Sequence, residues 1–519
     1  MLIDRIAAEV SHAFSLIGVE GARLVPSTRP DIADYVSDAA FAAARTLRRS
    51  PASIAEDAAT RLSADGYVVD AGGGFLNIRI TEAALGDAIT EDDDRVVEAR
   101  TYLIDSGGPN VAKPMHVGHL RSLVIGDALA NILRHQGHRV VKDVHYGDWG
   151  HQMGLLLAAL PEIPSTLAEL EQAYPAAAAR AKSDPAFLKE AHLATIALQK
   201  GEPEHVRRWQ AFRDLSGASA NADFAKLGVD FDLHLGESDA NPFIGRVEDM
   251  LGDRLIESEG ARVVMTSKGA LMFRNREGGS LYGATDLATL AMRAEDPKPD
   301  VVLYVVDERQ GQYFEQMFEA AEGLTDAHLE HVGFGTVNGP DGRPFKTRAG
   351  GVPKLGDLLD EAIAEAAKRN PDVAVPVAMA AIRFGDLVNR RTSGYAFDLE
   401  RSLRFEGRTG PYMLYQIARI RSIIGNATIE PGRPVVEDDA GRDLALGLLA
   451  SRDVIERAAE TRMPHHVAEH AYDLSQRFSR FYSGASIKDS PARLAIAMLV
   501  LERLETLMGL LGIKTVERM

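Results

Sequence analysis

The stretch Ser106-Gly-Gly-Pro-Asn-Val-Ala-Lys-Pro-Met-His-Val-Gly-His-Leu-Arg-Ser122 decides the fold of this 519-residue chain. It follows Thr101-Tyr-Leu-Ile104, which is typical of a short buried strand, and it leads into an apolar, helix-permitting run over Leu120–Leu133. In a strand, glycine-bearing turn and helix start of this order, a phosphate can approach backbone N–H groups at the helix N-terminus. The stretch therefore predicts a nucleotide site in an α/β domain.

Two histidines in this stretch carry the chemistry of the predicted site. His116 and His119 are three residues apart, with Gly118 between them, so they share one face of the helix. Imidazoles on a first helical turn can donate hydrogen bonds to phosphate oxygens as negative charge develops there. Metal ligation or a structural role are the alternatives, and metal is disfavoured because no acid stands at the usual spacing. We predict no metal held by the protein.

Composition and charge narrow the class of protein. The absence of cysteine excludes disulfides, thiolate zinc sites and a cysteine nucleophile. The formal net charge is −17, yet Arg383–Arg421 holds eight arginines and four acids, a local excess that can bind a polyanion. Charge alone favours a solvated helical surface as the explanation. With no signal-peptide pattern and no uncharged apolar run of about 18 residues, we expect a cytoplasmic protein without a membrane span.

The chain divides by pattern into three predicted domains. Residues 1–98 have the pattern of a small α/β domain that ends in an acidic linker. Residues 99–375 alternate short strands with helices, which predicts a Rossmann-type doubly wound parallel sheet, with a helical insertion at about 160–225. Residues 376–519 have the pattern of an α-helical bundle. The strand candidates of the central domain are Thr101–Ile104, Arg139–His145, Val301–Val306 and Val332–Val337.

The histidine stretch resembles the His-x-Gly-His signature of class I aminoacyl-tRNA synthetases, and its flanks resemble arginyl-tRNA synthetases in particular. Further blocks resemble the same family: His145-Tyr-Gly-Asp-Trp-Gly-His-Gln-Met-Gly154, Gly236-Glu-Ser238, Leu281-Tyr-Gly-Ala-Thr-Asp-Leu-Ala288, Tyr304-Val-Val-Asp-Glu-Arg-Gln310, Phe345-Lys-Thr-Arg-Ala-Gly350 and the segment 405–422. Gly107, Gly108 and Leu123 depart from the family pattern, which often has small hydroxyl residues at the first two positions and a threonine at the third.

The resemblance implies an arginine–tRNA ligase. Such an enzyme uses ATP and Mg²⁺ to activate L-arginine as arginyl-adenylate, and it transfers arginine to the 3′-terminal adenosine of tRNA(Arg). The residues implied to bind ATP or act in catalysis are Lys113, His116, Gly118 and His119, with Lys346 and Arg348 on a mobile loop. The residues implied to bind arginine are Asn110, Glu237, Tyr282, Asp286 and Gln310. Because a guanidinium needs planar carboxylate partners, Asp286 is the best candidate to pair with it.

The C-terminal region is implied to bind the anticodon side of tRNA, and the N-terminal domain its outer elbow. Arg408, Arg419 and Arg421 can reach phosphates, while Tyr412 and Tyr415 either stack near unpaired bases or belong to the core, two readings that the sequence weighs evenly. The implied partners are tRNA(Arg), L-arginine and ATP, and we expect a monomer.

Three other functions stay open at this point. A divergent paralogue could use another amino acid or serve antibiotic resistance or peptide biosynthesis. A tRNA-independent adenylate-forming enzyme would share the histidine motif but would not need residues 380–519. A non-catalytic RNA-binding paralogue predicts losses among His116, His119, Asn110 and Asp286, and all four are present.

Overall fold

The computed structural model describes residues 2–91, 98–276, 278–339, 342–343 and 353–519. The chain forms two compact units that interleave along the sequence. The first unit contains Met1–Asp94, Gln416–Val454 and His470–Thr506, and the second contains Arg95–Tyr415, Ile455–Glu469 and Leu507–Met519. The predicted domain boundaries at residues 98 and 375 stay predictions.

The N-terminal part of the first unit is a small antiparallel sheet with helices. Its elements are α1 (Leu2–Ser15), β1 (Val25–Pro26), β2 (Tyr35–Ser37), α2 (Ala39–Leu47), α3 (Pro51–Ala59), β3 (Tyr67–Asp70), β4 (Leu76–Ile80) and α4 (Glu82–Ala88). The strand order is β1-β2-β4-β3. Strand β4 buries every second residue, as the alternation in this segment predicts, and α3 confirms the helix expected over Ile54–Leu62.

A buried ion pair joins distant segments within the first unit. Arg442 and Asp34 are 5% and 6% exposed, and Arg442 Nε donates to Asp34 Oδ1 at 3.0 Å. The Ile80 carbonyl accepts a further hydrogen bond from Arg442 at 2.6 Å, and the Ile80 N–H donates to Asp34 at 2.7 Å. Each buried charge is therefore paired and hydrogen-bonded, which offsets the cost of removing it from water.

The second unit contains the predicted parallel sheet and the helices around it. Its elements are β5 (Thr101–Ser106), α5 (Val117–His135), β6 (Arg139–Asp143), α6 (His151–Ala159), α7 (Leu167–Ser183), α8 (Pro185–Gln199), α9 (Pro203–Leu227), α10 (Glu237–Ala240), α11 (Ile244–Leu251), β7 (Leu255–Ser258), β8 (Ala261–Thr266), β9 (Gly269–Arg274), α12 (Tyr282–Glu295), β10 (Val301–Val305), α13 (Gly311–Ala320), β11 (His328–His331), β12 (Val337–Asn338), α14 (Leu355–Ala367), α15 (Ala374–Leu387), β13 (Tyr395–Ala396) and α16 (Leu399–Ser402). Strands β11, β10, β5 and β6 form a parallel sheet in that order.

This sheet decides where the motifs meet. Strands β5 and β10 are buried along most of their length, as expected for central parallel strands covered on both faces. Helix α5 is apolar around most of its circumference and packs on them. The carboxyl ends of β5, β6 and β10 lie at one edge of the sheet, and the turn before α5 leaves from this edge, where ligands of such sheets bind.

One strand prediction was wrong. We expected a strand over Val332–Val337, but the strand in this region is β11 (His328–His331), which ends just before that range. Because β11 is an edge strand, it tolerates polar residues, and the apolar run comes after it. The Val332 and Phe334 N–H groups still donate to Tyr304 and Val306 carbonyls, at 2.8 and 3.2 Å, as the chain leaves the sheet. The other three strand candidates are confirmed.

The remaining elements are long helices. They are α17 (Gly410–Gly425), α18 (Asp439–Thr461), α19 (His465–Gly484) and α20 (Pro491–Leu510), and the last of these contains the expected apolar helix over Leu494–Met508. Pro431 and Pro434 lie in the connection before α18, as predicted. In the described part of the chain, no helix has both the length and the apolar character needed to cross a membrane.

Candidate active site

The turn between β5 and α5 is held by hydrogen bonds to two neighbouring elements. The Gly107 N–H donates to Ser122 Oγ at 2.8 Å, and that hydroxyl donates to the Val305 carbonyl at 2.6 Å. Gly107 has φ +91, and a Cβ there would lie 2.9 Å from Leu123 Cδ2. Two departures from the family pattern, Gly107 and Leu123, thus face each other, since the larger side chain fills the space beside the glycine.

The histidine pair is fixed by backbone donors. His116 caps α5, and its Nδ1 accepts from the Gly118 N–H at 3.0 Å, while His119 Nδ1 accepts from the His116 N–H at 3.0 Å. With both Nδ1 atoms used as acceptors, each neutral ring carries its proton on Nε2. Burial lowers the pKa of both rings, that of His119 to about 4, so both are neutral donors at pH 7.

Gly118 has a steric reason to be glycine. A Cβ at this position would lie 2.6 Å from Cε1 and 2.7 Å from Nδ1 of the His116 ring. The two imidazole rings are 4.1 Å apart between centroids, so neither can shift without disturbing the other. Among the described residues, no third metal-ligating side chain joins this pair, and the metal alternative therefore has no donor set.

The basic residues predicted to serve ATP are described only in part. Lys113 is exposed, and its Nζ lies 4.7 Å from the centroid of the Tyr174 ring of α7. Lys346 and Arg348 lie outside the described residues. The described chain resumes at Pro353 and is anchored beside the histidine motif, because the Val117 N–H donates to the Pro353 carbonyl at 3.1 Å and the Leu355 N–H donates to the Met115 carbonyl at 2.9 Å.

Backbone contacts join three of the sequence blocks. Asn110 and Gly147 form a parallel bridge, in which a Cβ at Gly147 would lie 2.2 Å from Asn110 Oδ1. One residue earlier, Tyr146 pairs with Gly236, and its carbonyl accepts from the Glu237 N–H at 3.1 Å. Asn110 and Glu237 are thereby brought to the same region, although 127 residues separate them.

These blocks border a cavity of about 430 Å³. The predicted residues that line it are Asn110, Lys113, Glu237 and Tyr282, together with Trp149, Gln152 and Thr285 and with His192 and Gln199 of the helical insertion. Tyr282 is 73% exposed and is free to cover a bound ligand. His116, His119, Asp286 and Gln310 are not among the lining residues, and Gln310 is exposed at the start of α13. The cavity therefore brings together Asn110, Lys113, Glu237 and Tyr282, but not the histidine pair, Asp286 or Gln310.

Glu237 is oriented by a buried carboxylate. Asp148 accepts hydrogen bonds from the N–H and Oγ of Ser238, at 2.9 and 2.7 Å, and pairs with Arg213 Nε at 3.0 Å. Gly236 leaves room for this contact, because a Cβ there would lie 2.6 Å from Asp148 Oδ1. Burial, together with the carboxylates of Asp286 and Asp148, raises the pKa of Glu237 to about 8.

Asp286 lies one turn into α12 and has a partner that sequence reasoning missed. The hydroxyl of Tyr313 donates a hydrogen bond to Asp286 Oδ2. Burial raises the pKa of Asp286, and the Tyr313 hydrogen bond opposes this effect. Tyr313 comes three residues after Gln310 on the adjoining helix, so the helical spacing from the last block was the signal that could have identified it.

Three family models match the chain. They are described as an arginyl tRNA synthetase N-terminal domain over residues 1–80, a class I (R) tRNA synthetase catalytic domain over residues 82–399, and a DALR anticodon binding domain over residues 413–519.

The chain belongs to the arginyl-tRNA synthetase family.

Curated relatives and solved structures agree with the family models. Proteins named arginine–tRNA ligase from Maricaulis maris and Francisella tularensis are 40% and 38% identical to the chain, covering 100% and 96% of both partners. Structures of arginyl-tRNA synthetases from Plasmodium falciparum and Thermus thermophilus match over 100% of this chain and 99% and 100% of theirs, with TM-scores of 0.85 and 0.83 at 22% and 24% identity. The structural likeness confirms the predicted fold class.

The residues that the family resemblance assigns to tRNA fall in both units. In the second unit, Arg408 is exposed and lies 3.7 Å from Glu469, Tyr415 is 44% exposed, and Tyr412 is half-buried. Exposure makes Tyr415 accessible to a base, whereas Tyr412 is partly in the core. In the first unit, the Arg419 guanidinium lies 4.9 Å from the centroid of the Tyr482 ring, and Arg421 pairs with Glu505. These two arginines already have protein partners.

Proposed function

We propose that this chain is an arginine–tRNA ligase, which activates L-arginine with ATP and transfers it to the 3′-terminal adenosine of tRNA(Arg). The observation that carries the proposal is a pair of neighbouring carboxylates, Glu237 on the wall of the cavity and Asp286 on α12. In the described ranges neither of them forms an ion pair, and burial raises the pKa of both. A guanidinium and an ammonium group supply the positive charges that such carboxylates need.

Recognition of arginine divides among the predicted residues. Asp286, oriented by Tyr313, pairs with the guanidinium, and Tyr282 covers it. Glu237 takes the ammonium group or the second edge of the guanidinium. Asn110 and Gln310 hold the remaining polar atoms. A substrate that lacks the guanidinium leaves a buried carboxylate without a partner, which is the usual basis of strong rejection.

The first chemical step needs no protein nucleophile. A carboxylate oxygen of arginine attacks the α-phosphorus of ATP, the bond to the bridging oxygen of pyrophosphate breaks, and arginyl-adenylate forms. The Nε2–H groups of His116 and His119 donate to the phosphates, and Lys113, Lys346 and Arg348 stabilise the developing negative charge. Gly118 permits this arrangement. Mg²⁺, when bound with ATP, would neutralise part of the phosphate charge.

In the second step, a hydroxyl of the terminal ribose of tRNA attacks the carbonyl carbon of the adenylate, and AMP leaves. The N-terminal domain contacts the tRNA elbow, and Arg408, Tyr412, Tyr415, Arg419 and Arg421 contact its anticodon side. The enzyme works as a monomer in the cytoplasm, where tRNA and ATP are available. The mass of the enzyme in solution, measured by light scattering with and without tRNA, tests whether it is a monomer.

ATP–pyrophosphate exchange tests the proposal directly. The exchange is measured over a panel of amino acids, with and without a tRNA(Arg) transcript. We expect exchange with L-arginine in the presence of tRNA, and none with citrulline, which has nearly the same shape as arginine but no side-chain charge. Exchange with another amino acid favours the divergent paralogue, and exchange that ignores tRNA favours the tRNA-independent adenylate-forming enzyme.

A further inference from the structure

A buried charged layer lies behind the arginine pocket and has no role in the mechanism above. Arg293 of α12 is 1% exposed, and its Nη2 lies 2.6 Å from the carboxylates of both Asp105 and Asp143. His145 continues this layer just after β6. Its Nδ1 lies 3.6 Å from Asp143 Oδ2, and its Nε2 lies 3.2 Å from Thr289 Oγ1.

The contacts of His145 determine its protonation state. The Thr289 hydroxyl donates its single proton to the Thr285 carbonyl at 2.8 Å, so its oxygen faces His145 Nε2 as an acceptor. The other ring nitrogen faces a carboxylate that is completely buried. The Thr289 contact therefore needs a proton on Nε2. The negative charge of Asp143 favours a second proton on Nδ1, although 3.6 Å is too long for a hydrogen bond there. Burial opposes this positive charge and is the largest single influence, but the contact with Asp143 and the negative charges of Asp143 and Asp105 together raise the pKa of His145.

This imidazolium is connected to the pocket through α12. Thr289 bonds to the carbonyl of Thr285 one turn earlier, and Thr285 both lines the cavity and donates its hydroxyl to the Tyr282 carbonyl at 3.1 Å. Asp286 is the next residue of the same helix. His145 therefore contacts the helical segment that presents Tyr282 and Asp286 to the substrate.

When all of them are ionised, the charged groups around His145 have a net charge of −2, which two added positive charges would neutralise. The groups that face it or the adjoining pocket are Asp143 on β6, Asp105 on β5, Arg293 and Asp286 on α12, and Glu237 on α10. Asp148 also faces Glu237, but Arg213 pairs with it. Two cations, Arg293 and His145, thus stand against the four other carboxylates. The guanidinium and ammonium groups of arginine supply the two missing positive charges, while the carboxylate of arginine faces the ATP.

We infer that His145 is a positioning residue for arginine: as an imidazolium between Asp143 and Thr289, it holds the first turns of α12 and favours ionisation of Asp286 and Glu237 when arginine binds. The inference deepens the proposed function and rests on it. Without the charge of His145, the two pocket carboxylates retain protons to higher pH. Arginine then binds less well at neutral pH, and its advantage over uncharged amino acids falls.

The protonation state is measured first, because this readout does not depend on activity. The full chain is labelled with ¹³C and ¹⁵N in histidine, and the signal of residue 145 is assigned as the one missing in His145→Asn or shifted in Thr289→Val. We expect both nitrogens of His145 to carry protons at pH 7. A neutral ring at pH 7, with one bare nitrogen, overturns the inference even if the enzyme proves to be an arginine–tRNA ligase.

Kinetics then test the positioning role. For His145→Asn at pH 7, we expect the KM for arginine to rise about tenfold, which corresponds to about 1.4 kcal/mol, with a smaller change in kcat and in the KM for ATP. The pH above which the KM for arginine becomes constant moves upward. Thr289→Val, which keeps the charge, raises the KM less and leaves that pH in place.

His470→Asn is the matched control, because His470 is also buried and bonded to a hydroxyl, Ser451 Oγ at 2.9 Å, but lies in the first unit. We expect its KM for arginine to equal that of the wild type. A KM and pH profile that are unchanged in His145→Asn contradict the inference. A wild-type chain without any arginine-dependent exchange contradicts the proposed function instead, and the nuclear magnetic resonance result still decides the charge of His145.

Discussion

The nucleotide end and the amino-acid end of the candidate site are held in different ways. At the nucleotide end, His116 and His119 accept hydrogen bonds from backbone groups two and three residues away. At the amino-acid end, Asp286 is held by Tyr313, 27 residues on, and Glu237 is placed by contacts that span about 90 residues.

Burial acts on the charge of both ends, but with opposite consequences for the pKa. It lowers the pKa of the histidines and raises the pKa of the carboxylates, so it disfavours charge in each case. Neutral imidazoles are ready to donate hydrogen bonds to phosphate. Buried carboxylates instead become fully ionised when a cationic substrate pairs with them. The histidines are thus in their working protonation state without a ligand, whereas the carboxylates depend on theirs.

The largest effect is expected at the amino-acid end. Asp286→Asn keeps the shape of the side chain but removes the charge that pairs with the guanidinium. Loss of one partner of a buried charged pair costs about 3–4 kcal/mol, so kcat/KM for arginine in the exchange assay falls roughly 100- to 1000-fold. Asp249→Asn, an exposed aspartate on α11, serves as the control and keeps full activity. A decrease in kcat/KM of less than tenfold would show that Asp286 does not pair with the guanidinium.

The nucleotide end is disrupted most directly by adding one methyl group at Gly118. Gly118→Ala places a Cβ against the His116 ring, which must rotate away and lose its backbone hydrogen bond. We expect kcat for adenylate formation to fall about 10- to 100-fold, as for loss of a charge-stabilising donor. The free energy of unfolding should change little. Gly245→Ala, where an added Cβ meets nothing within 4 Å, is the control. Equal kcat in both variants means that the ring position is unimportant.

The pH dependence of arginine binding separates the two ends. Since Glu237 must be ionised to pair with arginine and its pKa is raised to about 8, affinity for arginine rises with pH and levels off above about pH 8. The affinity for ATP should be flat over this range, because the histidines are already neutral. Glu237→Gln weakens the pH dependence, leaving the part that comes from Asp286, and also lowers the affinity. A flat profile for arginine in the wild type contradicts the role of Glu237.

Stability gives an independent check on Glu237. Its folded pKa lies above the value of 4.5 that applies to an unperturbed glutamate. The folded state therefore binds the proton more tightly, and the contribution to the free energy of unfolding is present below pH 4.5 and lost as pH rises towards 8. We expect Glu237→Gln to melt a few degrees above the wild type at pH 8, with the difference vanishing near pH 5. Saturating arginine should reduce this difference.

The smallest effect is expected at the turn that joins the two ends. Gly107→Ala adds a Cβ against Leu123 at a positive φ, which costs about 1–3 kcal/mol of stability. Leu123→Ala removes the clash but not the backbone strain. In urea denaturation, the double variant should therefore lose less stability than the sum of the single variants. Strict additivity shows that the two residues are not coupled.

The two ends also differ in how far the sequence predicts them. The histidine motif was predictable because its strand, turn and helix are adjacent in the chain, and hydrophobic periodicity placed β5, β6 and β10. The edge strand β11 was misplaced because polar residues at an edge carry no apolar pattern. Tyr313 was missed because its helical spacing from Gln310 only places it on the same face of α13, and its contact with Asp286 depends on how α12 and α13 pack.

The same limit applies to side-chain accessibility. The sequence placed Glu237 and Asp286 in the pocket through a family pattern, but their raised pKa values depend on burial that only the folded chain defines. It also left Tyr412 and Tyr415 undecided between core and surface, and the structure separates them by exposure. Residues whose role depends on neighbours in sequence are thus predictable, and those whose role depends on packing are not.

The ion pair between Asp34 and Arg442 has a consequence for biosynthesis. A ribosome makes Asp34 early, and the guanidinium that neutralises it in the folded protein follows 408 residues later. At about 5–20 residues per second, this delay is roughly 20–80 s. During this time the N-terminal sheet can form, but the site of Asp34 must stay hydrated. The newly made N-terminal segment therefore completes its fold only after Arg442 has been synthesised, and a ribosome that stalls before this point carries an incompletely folded segment.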